Sequence, residues 1–178
     1  MATVMSHSIA ALAVGRAFAP EGMRPRFWIL TAVCAALPDM DVVGFAFRIQ
    51  YRDMLGHRGL THSLSFAVAL SLLVVLLFFR DSNPLGTSWW VLVLYFFVVT
   101  ASHGVLDALT NGGLGVAFFA PFSNRRYFLP WHPIEVSPIG IEPFLTRRGF
   151  LVLISEIVWI WIPSIVLVAS AWIYRRVI

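Results

Sequence analysis

The sequence lacks lysine, has a single cysteine and carries few charges of either sign. All 13 basic residues are arginine, and charged residues make up only 12% of the chain. One cysteine, Cys34, excludes an intramolecular disulfide framework. So few charges leave no basic soluble face of the kind that binds nucleic acid. These absences exclude a secreted disulfide-rich domain and give no support to a nucleic-acid-binding protein.

Apolar residues are abundant instead. They make up 59% of the 178 residues, and the mean hydropathy is +0.81. Soluble domains are closer to half apolar and a quarter charged, so the composition predicts a multi-pass integral membrane protein with one domain over residues 1–178. Arginine binds phosphate bidentately, which suits lipid headgroups, although a GC-rich genome explains the same preference for arginine codons.

The apolar runs predict an all-α bundle of four to five membrane helices. The run from Phe27 to Leu37 is too short to span alone, so it extends through Pro25 or packs inside the bundle. Residues 39–60 are expected to be a connection, and residues 111–148 an ordered cap on the membrane surface. The predicted helices are residues 6–19, Phe27 to Leu37, Leu64 to Phe79 with Thr61 or Ser63 as cap, about 89–110, and Phe150 to Tyr174 with a kink at Pro163.

The N-terminal run resembles a signal peptide but differs from one in three respects. Ala17-Phe18-Ala19 is similar to a cleavage site. However, no Lys or Arg precedes the apolar core, that core is short, and Pro20 would follow the cut. We therefore expect no cleavage, so that His7 is retained.

Polar residues that are unusual in a membrane protein lie at the ends of the predicted helices. In an up-down bundle these particular ends meet at one membrane face, so the side chains are expected to converge there. His103 and Asp107 lie four residues apart and share one side of their helix. The set consists of His7, Asp39, Asp41, His57, His62, His103 and Asp107.

Imidazole and carboxylate groups together indicate one or two zinc ions, with manganese or iron as alternatives. His62 is the preferred ligand of the segment His57–Ser63, while His57 is a ligand or a general acid. Asp39 and Asp41 suit one bridging and one supporting carboxylate. The structural alternatives are a helix C-terminal turn for one of the two aspartates, a solvated loop histidine for His57 and a surface arginine for Arg58. For Asp107 the alternative is a simple hydrogen bond to His103 or to an arginine from another helix.

Several motifs together resemble those of the YdjM-like family of membrane-bound, metal-dependent hydrolases. They span roughly residues 5–140, and their combination is specific. They are Ser6-His7, Pro38-Asp39-x-Asp41, Gly56-His57-Arg58-Gly59-x-Thr61-His62-Ser63, Ser102-His103-x-x-x-Asp107-x-x-Thr110, and Ala120-Pro121-Phe122-Ser123-Asn124-Arg125-Arg126 followed by Leu129-Pro130-Trp131. The resemblance implies a prokaryotic inner-membrane protein with a divalent-metal site.

The order of the ligands is also distantly similar to that of zinc-dependent phospholipase C and the fungal zinc nucleases. That similarity implies that Asp39 or Asp41, His62, His103 and Asp107 form one metal shell, with His7 on a neighbouring metal. His132 and Glu135 are interpreted as structural. Thr61, Thr110 and Glu156 are expected to support the ligands from behind, and the structural alternative for Glu156 is a hydrogen bond to Ser155 or to a neighbouring helix.

We therefore expect a hydrolase that cleaves a phosphoester of a lipid or lipid-linked substrate with a metal-activated water. Asp39 or Asp41, with Asp41 preferred, deprotonates or orients the water, and Arg58 stabilises the developing phosphate charge. Arg58, Arg125 and Arg126 hold the anionic headgroup. The alternatives are a non-catalytic membrane protein with a structural metal, and a metal or anion transporter. The sequence leaves the substrate, the metal, the site-bearing membrane face and the oligomeric state open.

Overall fold

The computed structural model of the protein describes residues 1–177, which contain helices and no β-strand. The α-helices are α1 (Val4–Phe18), α2 (Pro25–Ala36), α3 (Leu64–Phe78), α4 (Thr87–Ala108), α5 (Ile141–Phe144), α6 (Arg147–Glu156) and α7 (Ile162–Val177). Three continuous helical segments are long and apolar enough to cross a membrane, namely Pro25–Phe47, Thr87–Ala108 and Arg147–Val177. The shorter helices α1 and α3 are also apolar. The expected all-α membrane bundle is confirmed.

The second predicted helix is longer than the apolar run suggested. Helix α2 begins with Pro25 and ends at Ala36, and the chain then continues as a 3-10 helix over Leu37–Phe47. Proline in the first turn costs no helical hydrogen bond, because the first amides have no partner there. Pro38 accordingly stands at the start of the 3-10 segment. The expectation that residues 39–60 form only a connection is therefore wrong for residues 39–47.

The start of α3 resolves the choice between two caps. Ser63 has extended backbone angles, and its hydroxyl accepts a hydrogen bond from the amide of Phe66. This pairs one of the amides that a helix N-terminus leaves without a partner. Thr61 lies two residues earlier, inside a short 3-10 turn over Leu60–His62, which leaves its hydroxyl free for the site.

The last membrane segment is interrupted by a wider turn. Helix α6 passes into a π-helical turn over Ile157–Trp161, and α7 follows. Pro163 has no amide hydrogen to donate back to the preceding turn, and π-turns appear where the regular ladder is disturbed in this way. The distortion expected at Pro163 thus takes the form of a widened turn that precedes it.

Helices α1 to α4 pack around an apolar core. Helix α1 contacts α2, and α4 contacts both α2 and α3. The core includes the buried side chains of Phe27, Val75, Phe96 and Val99. Residues 111–148 lie over the ends of these helices and are held by backbone pairs between Val116 and Tyr127 and between Thr110 and Ile134. This arrangement brings the start of α1, the end of α2, the start of α3 and the end of α4 together.

Candidate metal centre

Four side chains from three segments converge at the meeting point of these helix ends. Asp39, His62, His103 and Asp107 are buried, and one ligand atom from each lies within 4.8 Å of the others. Oδ1 of Asp39 is 3.6 Å from Nε2 of His62 and 3.3 Å from Nε2 of His103. Nε2 of His62 is 3.1 Å from Nε2 of His103 and 3.5 Å from Oδ2 of Asp107. The four atoms are close enough together to hold one metal ion.

These separations fit a bound cation. Atoms held about 2.0–2.1 Å from a tetrahedral zinc lie about 3.3–3.4 Å from one another, close to the four observed distances. Both carboxylate oxygens of Asp39 are buried without a hydrogen-bond partner among the described residues. Because buried acceptors without partners are costly, the donor set fits a divalent metal.

Each histidine ring is turned by a contact at its other nitrogen. Nδ1 of His103 donates to the carbonyl oxygen of Ala35 at 2.6 Å. Nδ1 of His62 lies 3.1 Å from Oδ2 of Asp41 and 3.0 Å from Oγ1 of Thr61. Metal-binding histidines commonly use their second nitrogen in this way, because it fixes the tautomer and leaves the first nitrogen free as a ligand.

The 3-10 turn that carries His62 is packed closely against α4. A Cβ atom added at Gly104 would lie 2.9 Å from the carbonyl oxygen of His62 and 3.2 Å from the ring of Phe118. Glycine at this position therefore lets the turn approach the helix that carries His103 and Asp107. Gly56 and Gly59 play the same role in the preceding loop, where a Cβ atom would overlap neighbouring carbonyl groups.

Asp107 is surrounded by donors. Its Oδ2 lies 2.9 Å from Nε of Arg58, and its Oδ1 accepts a hydrogen bond from the amide of Ala2 at 2.9 Å. Nε2 of His7 is 3.4 Å from Oδ1, and the His7 ring stacks on His103 at 3.6 Å between centroids. Both nitrogens of His7 are without hydrogen-bond partners among the described residues. His7 thus lies at the edge of the cluster, beside Asp107.

The protonation of His62 reflects the negative charge around it. Burial by itself lowers the pKa of His62, but the neighbouring carboxylates of Asp107, Asp39 and Asp41 outweigh that effect and raise the pKa to about 10. A raised histidine pKa means that the charged form is favoured. The three carboxylates therefore stabilise a positive charge at the point where the two Nε2 atoms meet.

Asp41 lies behind His62 and not among the four converging atoms. Its Oδ1 is 2.6 Å from Nδ1 of His57, while its Oδ2 accepts hydrogen bonds from the Arg58 amide at 3.1 Å and the Thr61 hydroxyl at 2.7 Å. Asp41, His57 and His62 form a second group of side chains that offer ligand atoms. In the described structure Asp41 joins His57 to His62, and Asp39 is the member of the Asp pair beside the Nε2 atoms.

The three arginines predicted to hold substrate have different surroundings. Arg58 is fully buried, and besides Asp107 its guanidinium donates to Gly112 and Thr110. It is therefore not the surface arginine of the structural alternative. Arg126 donates to the backbone carbonyls of Tyr51, Asp53 and His57, so it holds the loop before His62. Arg125 is exposed and lies over the ring of Tyr127.

Two of the three side chains expected to support the ligands contact the polar network, and the third, Glu156, contacts a neighbouring helix. Thr61 links Asp41 to His62, and the Thr110 hydroxyl accepts from Arg58 while donating to the carbonyl of Asp107. Glu156 is fully buried and accepts hydrogen bonds from Thr3 and Ser6 at the start of α1. Glu156 therefore acts on His7 through the helix that carries it.

Sequence reasoning missed contacts made by the backbone. The Ala35 carbonyl and the Ala2 amide belong to residues without polar side chains, so no motif marks them. The sequence does contain a signal for the close approach at Gly104, because a glycine next to His103 inside a membrane helix usually has a packing or functional reason. His132 and Glu135, which the sequence analysis interprets as structural, are exposed and do not join the four converging residues.

Comparison with known proteins gives a match over the whole described chain. The model of the family described as YdjM inner membrane protein matches residues 1–177. The chain is also 37% identical over 176 residues to inner membrane protein YbcI of Escherichia coli (strain K12). The aligned residues cover 99% of this chain and 100% of that protein. No solved structure matches it.

Proposed function

We propose that this chain, which belongs to the YdjM inner membrane protein family, is a metal-dependent hydrolase of the prokaryotic inner membrane. Its substrate on this proposal is a phosphoester of a lipid or lipid-linked molecule. The cation is held by Asp39, His62, His103 and Asp107, with His7 beside them. Zinc is the preferred ion, because two imidazoles and two carboxylates at tetrahedral separations suit it.

The observation that carries this proposal is the approach of two imidazole nitrogens. Nε2 of His62 and Nε2 of His103 face each other at 3.1 Å, although Nδ1 of His103 already donates to Ala35. Two lone pairs directed at one point repel unless a cation or a proton lies there. A divalent cation held there would act as a Lewis acid and lower the pKa of a bound water.

A second pair of side chains supports hydrolysis beyond metal binding. His57 and Asp41 are joined at 2.6 Å, the arrangement in which a carboxylate orients a histidine for proton transfer. The His57 ring lies 5.5 Å from the His62 ring, between centroids. We assign the proton transfer to His57, with Asp41 as its partner. A purely structural metal has no need of such a pair.

The exposed aromatic residues of the cap, residues 111–148, are an argument for a lipid substrate. Large aromatic side chains of residues 111–148 remain exposed there, and Arg125 lies among them. Aromatic residues of this kind concentrate at the membrane interface, where the phosphate of a lipid also lies. The exposed aromatic residues of the cap are Phe119, Phe122, Phe128 and Trp131.

One observation favours a second candidate function. All four converging side chains are buried, as in a site where the metal only holds helix ends together. A structural site is closed, whereas a catalytic site keeps a position for water or substrate. In this candidate the cation offsets the cost of placing Asp39 and Asp107 within a membrane protein, and no turnover follows.

Metal content and turnover distinguish the two candidates. The detergent-purified protein is repleted with zinc and measured by elemental analysis, then incubated with lipid phosphomonoesters, diphosphates and phosphodiesters. We expect bound zinc and phosphate release in the wild type, and the loss of both in His103→Ala. His57→Gln should retain zinc but lose turnover, and the exposed His132→Gln should retain both.

Two other results would lead to different conclusions. Zinc without turnover in wild type and His57→Gln alike would favour the structural metal. Equal, negligible metal in wild type and His103→Ala would refute the metal site itself.

A further inference from the structure

A long groove runs between α1 and α7, away from the metal centre. Its volume is about 790 Å³, a size typical of ligand sites, and its walls come from one face of each helix. The spacing of the lining residues is that of a single helix face. Residues on α1 are Ile9, Leu12, Ala13 and Arg16, and those on α7 include Ile165, Val168, Ala169 and Trp172.

The two helices are tied at both ends of this groove. At one end the Trp161 indole donates to the Ser6 hydroxyl at 2.8 Å. At the other end Arg175 donates to the carbonyl oxygens of Ala17 and Ala19. Between these ties, small residues such as Ala13, Ser164 and Ala169 line the helices. These contacts hold the two helices together at both ends of the groove and therefore fix its length.

The walls are apolar along the groove and positively charged at one end. Three arginines and a single glutamate line that end, and the Arg176 guanidinium lies 4.0 Å from the centre of the Trp172 ring. Arg16 and Arg176 form no ion pair with another residue in the part of the chain that the structure describes. The charged residues are Arg16, Glu21, Arg175 and Arg176.

The charged end lies at the opposite end of α1 from the metal centre. Arg16 is in the last turn of α1, whereas His7 is in the first. Nine residues of helix separate them by about 13 Å along the axis. An occupant held by Arg16 is thus not a substrate at the metal centre.

We propose that this groove binds an anionic phospholipid of the surrounding membrane. Arg16 and Arg176 hold the phosphate, and an acyl chain lies along Ile9, Leu12, Ile165 and Val168. Hydrocarbon fills an apolar groove within a membrane, and the excess of arginine selects the anionic headgroup, as in other basic pockets between membrane helices. Arginine suits this role because its planar guanidinium binds phosphate through two hydrogen bonds.

Native mass spectrometry of the detergent-solubilised protein tests the proposal. The protein is incubated with phosphatidylglycerol or phosphatidylcholine of identical chains. We expect the wild type to retain the anionic lipid preferentially. Arg16→Gln/Arg176→Gln should reduce that preference about tenfold or more, the size expected for two arginines acting on one phosphate. Arg80→Gln/Arg148→Gln removes the same charge from exposed sites elsewhere and should leave it unchanged.

A second variant tests the apolar part of the groove. Ala169 is exposed to the groove, so Ala169→Phe fills the groove without disturbing the core, and it should lower the retention of both lipids. Equal retention of the two lipids by the wild type overturns the proposal. An unchanged preference in the Arg16/Arg176 variant, or unchanged retention in Ala169→Phe, does the same.

Discussion

Nε2 of His62 lies 3.1 Å from Nε2 of His103, although the two residues are 41 positions apart in the chain. The other nitrogen of each ring is occupied, by Asp41 and Thr61 for His62 and by the Ala35 carbonyl for His103. The two rings are thus held so that their Nε2 atoms face each other. The predictions below depend on this contact and on the groups that maintain it.

Loss of Asp41 should weaken metal binding without removing a ligand. In Asp41→Asn the His62 ring loses its negatively charged partner, so its tautomer and orientation are less well fixed. We expect zinc affinity to fall about 10- to 100-fold, as for other partners of metal-binding histidines. Competition with a chromophoric chelator measures this fall.

The matched control is Asp53→Asn, because Asp53 is exposed and its carboxylate accepts a hydrogen bond from the Gln50 amide, away from the metal centre. Its zinc affinity should equal that of the wild type. An Asp41→Asn protein with unchanged affinity would show that Asp41 does not position His62.

Zinc affinity should rise with pH. In the metal-free protein the raised pKa of His62, about 10, keeps the ring protonated at neutral pH. A metal must displace that proton, so the apparent affinity increases as pH rises towards 10, by up to about tenfold for each pH unit. Chelator competition between about pH 6.5 and about pH 8.5, corrected for protonation of the chelator, measures the slope.

The same pKa predicts how the stability of the metal-free protein depends on pH. Because the pKa is higher in the folded state than the ordinary value of 6.5, the protonated ring stabilises the fold below that value. This stabilisation is lost as pH rises through about 10. Thermal unfolding with excess chelator should show a falling melting temperature over this interval. A flat profile would contradict a protonated His62.

Removal of Asp107 should destabilise the fold as well as the metal site. Asp107→Asn leaves the buried Arg58 guanidinium without its anionic partner at 2.9 Å. Breaking a buried pair on one side costs about 3–5 kcal/mol. Asp81 pairs with Arg24 and Arg26 but is largely exposed, so Asp81→Asn should cost less than about 1 kcal/mol. Thermal unfolding of the two metal-free variants compares them, and similar losses would contradict a buried pair.

Gly104→Ala should separate the His62 turn from α4. Alanine favours helix over glycine by about 1 kcal/mol, but the added Cβ atom would meet the His62 carbonyl oxygen at 2.9 Å. That atom belongs to the backbone, so the turn has to move and Nε2 of His62 moves with it. We expect lower zinc affinity in the chelator assay. The Cβ atom of Gly44→Ala would lie 3.4 Å from the Ile49 side chain and 3.8 Å from the Leu55 carbonyl oxygen, which are ordinary contact distances, so this variant should retain wild-type affinity.

The sequence by itself determined the class of protein and the composition of the site. The lengths of the apolar runs predict a membrane bundle, and the ends of α1 to α4 carry the polar residues that meet. Both properties follow from the order of the apolar runs, because helix direction alternates along the chain in an up-down bundle. The sequence therefore predicted that His62, His103 and Asp107 converge, and the structure brings them together with Asp39.

Only the tertiary structure decided which position each of these residues takes in the site. Asp39 and Asp41 lie two positions apart, so they point in different directions in any helix, and no pattern states which faces the cluster. The 3-10 winding of Leu37–Phe47 directs Asp39 to the Nε2 atoms and Asp41 to Nδ1 of His62. Likewise, the burial of Arg58 against Asp107 and the contact of Ala35 with His103 arise between distant segments. Contacts of this kind depend on how the helices pack, which the local pattern of the sequence does not express.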